Sequence, residues 1–134
     1  SQILQYVHSS ALYDFKKLAE KYWPGALTLI VPLPEQKNFK FLPNNFIGIR
    51  IPDSSTARLL ISESGPLATS SANISGVAPS LTANQISSDL PNLNLLGPVP
   101  WQKCSGKAST IIQWNRVGEW KLIRQGNIFL SGLG

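Results

Sequence analysis

Apolar residues recur three or four positions apart near the start of the chain, with lysines and a glutamate between them. The apolar positions of this stretch are Leu12, Phe15, Leu18, Ala19 and Tyr22. Such spacing predicts an amphipathic helix. We expect Ser10 to cap this helix at its N-terminus, and we expect Pro24-Gly25 to end it near Tyr22.

After this helix, the apolar positions change to the spacing of β-strands. The segment "ALTLIVP" (residues 26–32) is short, apolar and partly β-branched, which predicts a buried strand. The segment "FIGIRIP" (residues 46–52) predicts a second strand, whose alternation places three isoleucines on one face and Gly48 and Arg50 on the other. Arg50 then occupies either a ligand-facing position or an exposed edge position.

The rest of the pattern predicts two further helices and three further strands. "DSSTARLLISESG" has Asp53 or Ser54 as an N-cap and Gly65 as a stop, and "TANQ" at Thr82 is a capping box that opens a third helix. We expect strands at "PLATS", "STIIQW" and "EWKLIRQG", the last two joined by a hairpin turn at "NRVG". Residues 33–45 and 91–108 contain prolines and polar residues and predict connecting loops.

Helices that alternate with strands and end in a hairpin predict an α/β fold with a mixed sheet. The 134 residues, 43% apolar and 14% charged, suit one core, so we expect a single domain over residues 1–134. No apolar run approaches the roughly 18 residues of a membrane span, and the first residues lack the pattern of a signal peptide. We therefore expect a cytoplasmic protein with no membrane contact.

Cysteine and histidine usage limits the metal and redox chemistry of the chain. Cys104 is the single cysteine and His8 the single histidine, which excludes an internal disulfide and a His/Cys zinc cluster within one chain. A dyad of Cys104 and His8 would need a local signature that the sequence lacks. We expect no protein-bound metal site.

The balance of charges favours anionic partners. Twelve basic residues face seven acidic ones, a net charge of +5, which suits nucleotide, phosphate or RNA as well as a solvated basic face. The surplus is greatest near the end of the chain, where Glu119 opposes Lys103, Lys107, Arg116, Lys121 and Arg124. The tryptophans lack the periodic basic and aromatic pattern of a nucleic-acid surface, so we interpret them as core or lid residues.

The stretch "PLATSSANISGVAPS" (residues 66–80) places four hydrogen-bonding side chains within five positions, from Thr69 to Asn73. If "PLATS" is a strand, these residues follow its carboxyl end, where α/β proteins bind ligands. The loop then either holds an anion or forms a structural turn before the third helix. It matches neither a P-loop nor a dinucleotide fingerprint, and the "NIS" sequon has no secretion signal to support it.

Five segments together resemble the YrdC-like family, the L-threonylcarbamoyladenylate synthases. In chain order they are "YWPGALTLIVP", "IGIRIP", "LATSSANISGVAPS", "STIIQW" and "LIRQG", against usual patterns that read "WPGPLT", "VAVRxP", "PSANxSG", "STVVD" and "LxRxG". The resemblance extends from about Tyr22 to Gly126 and implies a twisted α/β sheet with a large, positively charged cavity. It implies that ATP, L-threonine and bicarbonate give threonylcarbamoyl-AMP and pyrophosphate.

The resemblance also assigns roles to individual residues. Arg50 would pair with the threonine carboxylate, and Thr69 and Ser109 would contact the rest of the threonine. The expected ATP contacts are Ser71, Asn73, Pro79 through its backbone, and Arg124 as a phosphate ligand. No side-chain nucleophile and no organic cofactor are expected, since Mg²⁺ would arrive with ATP. A tRNA threonylcarbamoyl transferase that modifies adenosine 37 of tRNA would be the downstream partner, and direct binding of tRNA is left open.

The chain departs from the family pattern in three places. The family's N-terminal "PTET-x-Y-G" and "K-x-R" motifs are not present, "SSAN" replaces "PSAN", and Phe46 stands where a small hydroxyl residue is usual. We therefore expect a C-terminal two-thirds fragment that is inactive and marginally stable by itself. Two alternatives are a double-stranded RNA or tRNA-binding module and a carbamoyl-transfer domain like that of hydrogenase maturation proteins, which carries more cysteines than this chain.

Overall fold

The computed structural model describes residues 2–37, 39, 42–95 and 104–131. Three α-helices are present in these ranges: α1 (Leu12–Tyr22), α2 (Ser55–Ser64) and α3 (Ala83–Asp89). The strands are β1 (Leu27–Pro32), β2 (Phe46–Ile49), β3 (Thr110–Arg116) and β4 (Glu119–Arg124). The chain divides into two compact units, one formed by Ser1–Leu67 with Ala108–Gly134 and the other by Ala68–Lys107.

All four strands belong to the first unit and form one sheet in the order β2-β1-β3-β4. The central strands β1 and β3 are parallel, whereas β2 and β4 pair antiparallel at the two edges. This arrangement confirms the prediction of an α/β fold with a mixed sheet. It also places Arg50 directly after an edge strand.

The core lies on one face of this sheet. Leu27, Leu29 and Val31 of β1 are fully buried there, and α1 adds Phe15 to the same cluster. The alternate β1 residues, Thr28 among them, are only partly buried and lie on the opposite face, here called the open face. Strand alternation therefore separates an apolar core face from a face available for polar chemistry.

The start of α1 differs from the prediction, because Ser10 does not cap it. Ser10 lies in a 3₁₀ turn, Ser9–Ala11, and its amide donates to Nδ1 of His8. The helix proper begins at Leu12 without a side-chain cap, and it ends at Tyr22 as predicted. The imidazole of His8 supplies the acceptor that a serine hydroxyl was expected to supply.

The caps of the other two helices are confirmed. The hydroxyl of Ser54 accepts from the amide of Ala57, and Gly65 ends α2. Thr82 accepts from the amide of Gln85 at the start of α3. The expected strand over residues 66–70 was wrong: the segment is mostly exposed and belongs to no ladder of the described sheet, so its apolar residues have no strand to pair with.

The predicted hairpin is present, and a buried carboxylate supports its turn. Asp14 on α1 accepts hydrogen bonds from the Trp114 indole Nε1–H at 3.0 Å and from the Gly118 amide at 2.7 Å. Trp120 is buried opposite Trp114, and Trp23 packs against the same core, whereas Trp101 lies outside the described residues. In the described part of the chain, no helix is long and apolar enough to cross a membrane.

Candidate functional site

The open face carries a row of side chains that crosses all four strands. Thr28, Ile111 and Arg124 are paired neighbours on β1, β3 and β4. Arg50 follows Ile49, which pairs with Leu29, so the next step of the same antiparallel ladder places Arg50 beside Thr28. The row therefore has an arginine at each end.

Gly25 holds Arg50 at its end of this row. The Gly25 amide donates to the Ile51 carbonyl at 2.9 Å, and the Gly25 carbonyl accepts from Arg50 Nε at 2.9 Å. A side chain at Gly25 would come within 2.4 Å of the Tyr22 carbonyl oxygen, so glycine is needed there. These contacts tie the "WPG" segment to the "IGIRIP" segment.

A β-bulge places Arg124 on the open face. Ile112 pairs with Leu122, but the preceding Ile111 pairs with Arg124, which leaves Ile123 as an extra residue. Without the bulge, alternation from Trp120 through Leu122 would turn Arg124 toward the core face. Bulges of this kind commonly redirect a side chain, and here the redirected group is a guanidinium.

Arg124 and Thr28 both contact Ser109, the residue directly before β3. Arg124 donates from Nε and Nη2 to the Ser109 carbonyl at 3.1 and 2.9 Å, and from Nη2 to the Ser109 hydroxyl at 3.2 Å. The Ser109 hydroxyl lies 3.0 Å from the Thr28 hydroxyl. These contacts fix the orientation of Ser109, which is only 8% exposed.

Electrostatically, the cluster is positive. The pKa of Arg50 is lowered, first by partial loss of hydration and second by the neighbouring charge of Arg124. Arg50 still reaches solvent, and a guanidinium remains charged at any physiological pH. Among the described residues, neither arginine forms a salt bridge with a carboxylate. The arrangement suits an anion, since each guanidinium keeps N–H donors that no described residue uses.

The neighbouring row of the open face, which contains Ile30, has no side chain at its β2 position. Gly48 pairs with Ile30 and lies on the open face. A methyl group built on Gly48 would meet Thr28 and Ile30 side chains at 3.6 and 3.7 Å, an ordinary contact distance. The backbone therefore tolerates a side chain there, and the glycine leaves space beside the arginine that an apolar part of a ligand could fill.

The loop after β4 packs closely on the backbone that carries Ser109. A side chain on Gly126 would come within 2.3 Å of the Ala108 carbonyl oxygen. The buried Thr110 hydroxyl donates to the Ile128 carbonyl at 2.7 Å and accepts from the amides of Gly126 and Ile128. The "STIIQW" and "LIRQG" segments thus hold each other in place.

Four of the predicted site residues belong to the second unit. Thr69, Ser71 and Pro79 are exposed there. Asn73 donates its side-chain amide to the Ile74 and Val77 carbonyls at 3.2 and 2.9 Å, while its buried Oδ1 has no hydrogen-bond partner among the described residues. The Asn73 amide therefore shapes its own loop in this structure, and the roles assigned to these residues stay predictions.

Arg116, one of the basic residues near the end of the chain, lies away from Arg124 and Ser109. Arg116 pairs with Glu119 at the hairpin turn, and hydrogen bonds from Asn115 and Arg116 lower the pKa of that carboxyl. Arg116 also stands at the opposite end of β3 from Ser109, roughly 20 Å away at the rise of a strand. Lys103 lies outside the described residues.

Three residues that shape the site were missed at the level of sequence: Gly25, Thr28 and Thr110. Thr28 stands in an apolar segment, where its alternation with Leu27 and Leu29 was the available signal for an open-face position. Gly25 was interpreted only as a helix stop. Thr110 gave no signal, because its contacts lie with a loop more than ten residues away along the chain.

Comparison with protein families gives a match over residues 1–126, nearly the whole chain. The matching family model is Sua5_yciO_yrdC, described as "Telomere recombination". Among curated relatives, the threonylcarbamoyl-AMP synthase of Bacillus subtilis is 41% identical over 78 residues, which cover 56% of this chain and 22% of that protein. The threonylcarbamoyl-AMP synthase of Mus musculus is 33% identical over 119 residues, which cover 83% of this chain and 42% of that protein.

Solved structures of the same family have a similar fold. A crystal structure of P. abyssi Sua5 complexed with L-threonine superposes with a TM-score of 0.76 at 27% identity, over 92% of this chain and 36% of that one. E. coli YciO superposes with a TM-score of 0.70 over 96% of this chain and 62% of that one, at 20% identity, which supports the fold alone. The chain thus spans less than half the length of the synthases compared.

Proposed function

Because the chain belongs to the Sua5/YciO/YrdC family, we propose that the protein it comes from is a threonylcarbamoyl-AMP synthase that uses ATP, L-threonine and bicarbonate. The relatives named above carry that activity in their names. A structural neighbour is described as complexed with L-threonine. A role for the product in threonylcarbamoylation of adenosine 37 of tRNA, through a downstream transferase, is part of the same proposal.

One observation carries this proposal: two arginines share one face, and no carboxylate of a described residue neutralises either of them. Arg50 and Arg124 converge from opposite edges of the sheet, and each retains donors for a ligand. A substrate pair that consists of an amino acid and ATP brings a carboxylate and phosphates to be neutralised. A planar guanidinium suits both groups, since its N–H donors match two oxygens at once.

In this proposal Arg50 binds the threonine carboxylate and Ser109 contacts the threonine beside it. Arg124 faces the phosphates of ATP. Thr69 would add a threonine contact, and Ser71, Asn73 and the Pro79 backbone would bind the nucleotide. The alignment of the two substrates, rather than a side-chain nucleophile, would supply the catalysis.

The reaction then has a simple balance. Threonine and bicarbonate give N-carboxythreonine and water. A carboxylate oxygen of N-carboxythreonine attacks the α-phosphorus of ATP, the bond from that phosphorus to the bridging oxygen of the β-phosphate breaks, and pyrophosphate leaves. Arg124 would neutralise charge that develops on the phosphate oxygens.

Magnesium enters this scheme as part of the nucleotide substrate. The described residues contain no group of three or more His, Cys, Asp or Glu side chains that could hold a metal ion. The proposed ion is the one carried on the phosphates of ATP, as is usual for Mg²⁺ at nucleotide sites.

The proposal is tested by incubating the whole protein from which the chain comes with ATP, L-threonine and bicarbonate and measuring pyrophosphate. We expect release that requires threonine, with threonylcarbamoyl-AMP identified by mass spectrometry. Omission of bicarbonate, or replacement of L-threonine by L-valine, should remove the signal. Pyrophosphate release that ignores threonine would overturn the proposal, and so would RNA binding that falls with salt in a protein that binds no nucleotide.

A further inference from the structure

We propose that Thr28 is a positioning residue that fixes the Ser109 hydroxyl as a hydrogen-bond donor to an anionic oxygen of a ligand bound on the open face. This inference rests on the proposed function for the identity of the anion, the threonine carboxylate. Its physical basis is the contact between the Thr28 and Ser109 hydroxyls at 3.0 Å. Thr28 lies within a strand that gives its side chain no other described hydrogen bond.

The direction of this hydrogen bond follows from counting donors and acceptors. A hydroxyl carries one donor and two acceptor lone pairs. Arg124 Nη2 donates to the Ser109 hydroxyl at 3.2 Å, which occupies one lone pair. Thr28 finds its only described acceptor in Ser109, so Thr28 donates and occupies the second lone pair. The Ser109 proton is then left for a ligand.

The opposite direction is less favourable. If Ser109 donated to Thr28, the Thr28 proton would need another acceptor, and no described residue provides one within hydrogen-bond distance. Ser109 would also keep a lone pair directed toward the ligand. An anion would meet that lone pair with repulsion rather than with a donor.

The direction of the Thr28–Ser109 hydrogen bond matters for binding because of the groups around it. Thr28 lies in the row between Arg50 and Arg124, and Arg124 donates to the Ser109 hydroxyl, so a ligand that binds in this row would meet that hydroxyl. Ser109 is held in place by three hydrogen bonds from Arg124. Its heavy atoms are therefore fixed, and only the direction of its proton remains to be set.

A double-mutant cycle separates this role from simple packing. The variants are Thr28→Val, which keeps the shape and removes the hydroxyl, Thr28→Ser, which restores it, Ser109→Ala, and the pair Thr28→Val with Ser109→Ala. Thr56→Val, an exposed threonine on α2, is the matched control. Each variant is titrated with L-threonine and with inorganic phosphate by calorimetry, and its thermal unfolding is recorded.

We expect Thr28→Val to weaken binding about 3–10-fold, Thr28→Ser to change it less than about twofold, and Thr56→Val to leave it unchanged. In the Ser109→Ala background, Thr28→Val should have no further effect. An equal loss in both backgrounds, no loss in the wild-type background, or failure of the wild-type protein to bind either probe would overturn the role of Thr28.

The synthase assay remains a separate readout. If phosphate binding shows the coupling but pyrophosphate release does not depend on threonine, the proposed function fails while the role of Thr28 stands. If release depends on threonine and the coupling is missing, the role of Thr28 fails while the proposed function stands.

Discussion

Arg50 and Arg124 repel each other, and among the described residues both are held by backbone carbonyls rather than by carboxylates. The Gly25 carbonyl accepts from Arg50 and the Ser109 carbonyl accepts from Arg124. A carbonyl orients a guanidinium without cancelling its charge, so the positive charge stays available to a ligand. A salt bridge at either residue would have placed a competing anion in the site.

Replacing Arg50 with alanine should reduce threonine affinity far more than ATP affinity. The loss of one charge-assisted contact to a carboxylate is expected to cost about 1.5–3 kcal/mol of threonine binding. Separate titrations with L-threonine and with ATP measure the two losses. Arg116→Ala, at the far end of the sheet, should change neither affinity, and equal losses for both substrates in Arg50→Ala would contradict the assigned role.

Two glycines on this sheet should respond oppositely to alanine. Gly126→Ala should destabilise the fold by about 1–3 kcal/mol, since a methyl group there overlaps with backbone atoms at distances as short as 2.3 Å. Gly48→Ala should leave stability nearly unchanged, because its methyl group would meet side chains at 3.6 and 3.7 Å. Urea unfolding midpoints compare the pair, and similar shifts in both variants would refute this account of the packing.

At the scale of elements, the edge strands bring the charged groups to the site while the central strands form the core. β2 delivers Arg50 by plain alternation, whereas β4 delivers Arg124 through the bulge at Ile123. A bulge at an edge costs little, since only one neighbouring strand must adapt, and it also discourages pairing with another chain. The same irregularity therefore serves the site and protects the edge.

Exchanging the two residues at the bulge tests whether the bulge positions Arg124, without changing the amino-acid composition. The double substitution Ile123→Arg with Arg124→Ile moves the guanidinium by one residue, out of the row that contains Thr28 and Ile111. We expect ATP affinity to fall at least as far as in Arg124→Ala, while the thermal unfolding temperature stays close to that of the wild type. Full retention of ATP affinity would show that the bulge does not position Arg124.

The hairpin formed by β3 and β4 depends on a carboxylate from α1. Asp14→Ala would leave the half-buried Trp114 indole N–H and the Gly118 amide without their acceptor, at an expected cost of about 1–3 kcal/mol in the free energy of unfolding. Asp53→Ala, which removes an exposed ion pair with Arg58, should cost less than about 1 kcal/mol. Chemical denaturation measures the free energy of unfolding of both variants. A larger loss of stability in Asp53→Ala than in Asp14→Ala would contradict the supporting role of Asp14.

The fold was predictable from the sequence where one local rule decided the outcome. The alternation of isoleucines placed Arg50 on the open face, and the serine, threonine and glycine caps of α2 and α3 behaved as expected. Other features depended on distant partners. Alternation alone would have turned Arg124 to the core face, and only the bulge on β4 prevents this. His8, rather than Ser10, supplies the acceptor before α1. The "PLATS" segment has no described strand to pair with.

At the scale of the whole molecule, the matched relatives are more than twice as long as the aligned region. The described residues contribute a sheet whose open face concentrates positive charge, and a second unit that carries the "SSAN" loop. Family membership and the shared fold are established over most of the chain. Substrates and product remain proposals about the protein as a whole.

The central claim, that the arginine pair serves a threonine-activating reaction, is tested most directly by threonine-dependent pyrophosphate release. The assay uses the whole protein from which the chain comes, and it compares the wild type with Arg50→Ala/Arg124→Ala and with Arg58→Ala/Arg116→Ala, which removes the same number of charges away from the pair. We predict that the wild type and the second variant release pyrophosphate only with threonine, and that the first is slower by at least about 10²-fold. Equal rates in both variants, or release without threonine, would contradict the account.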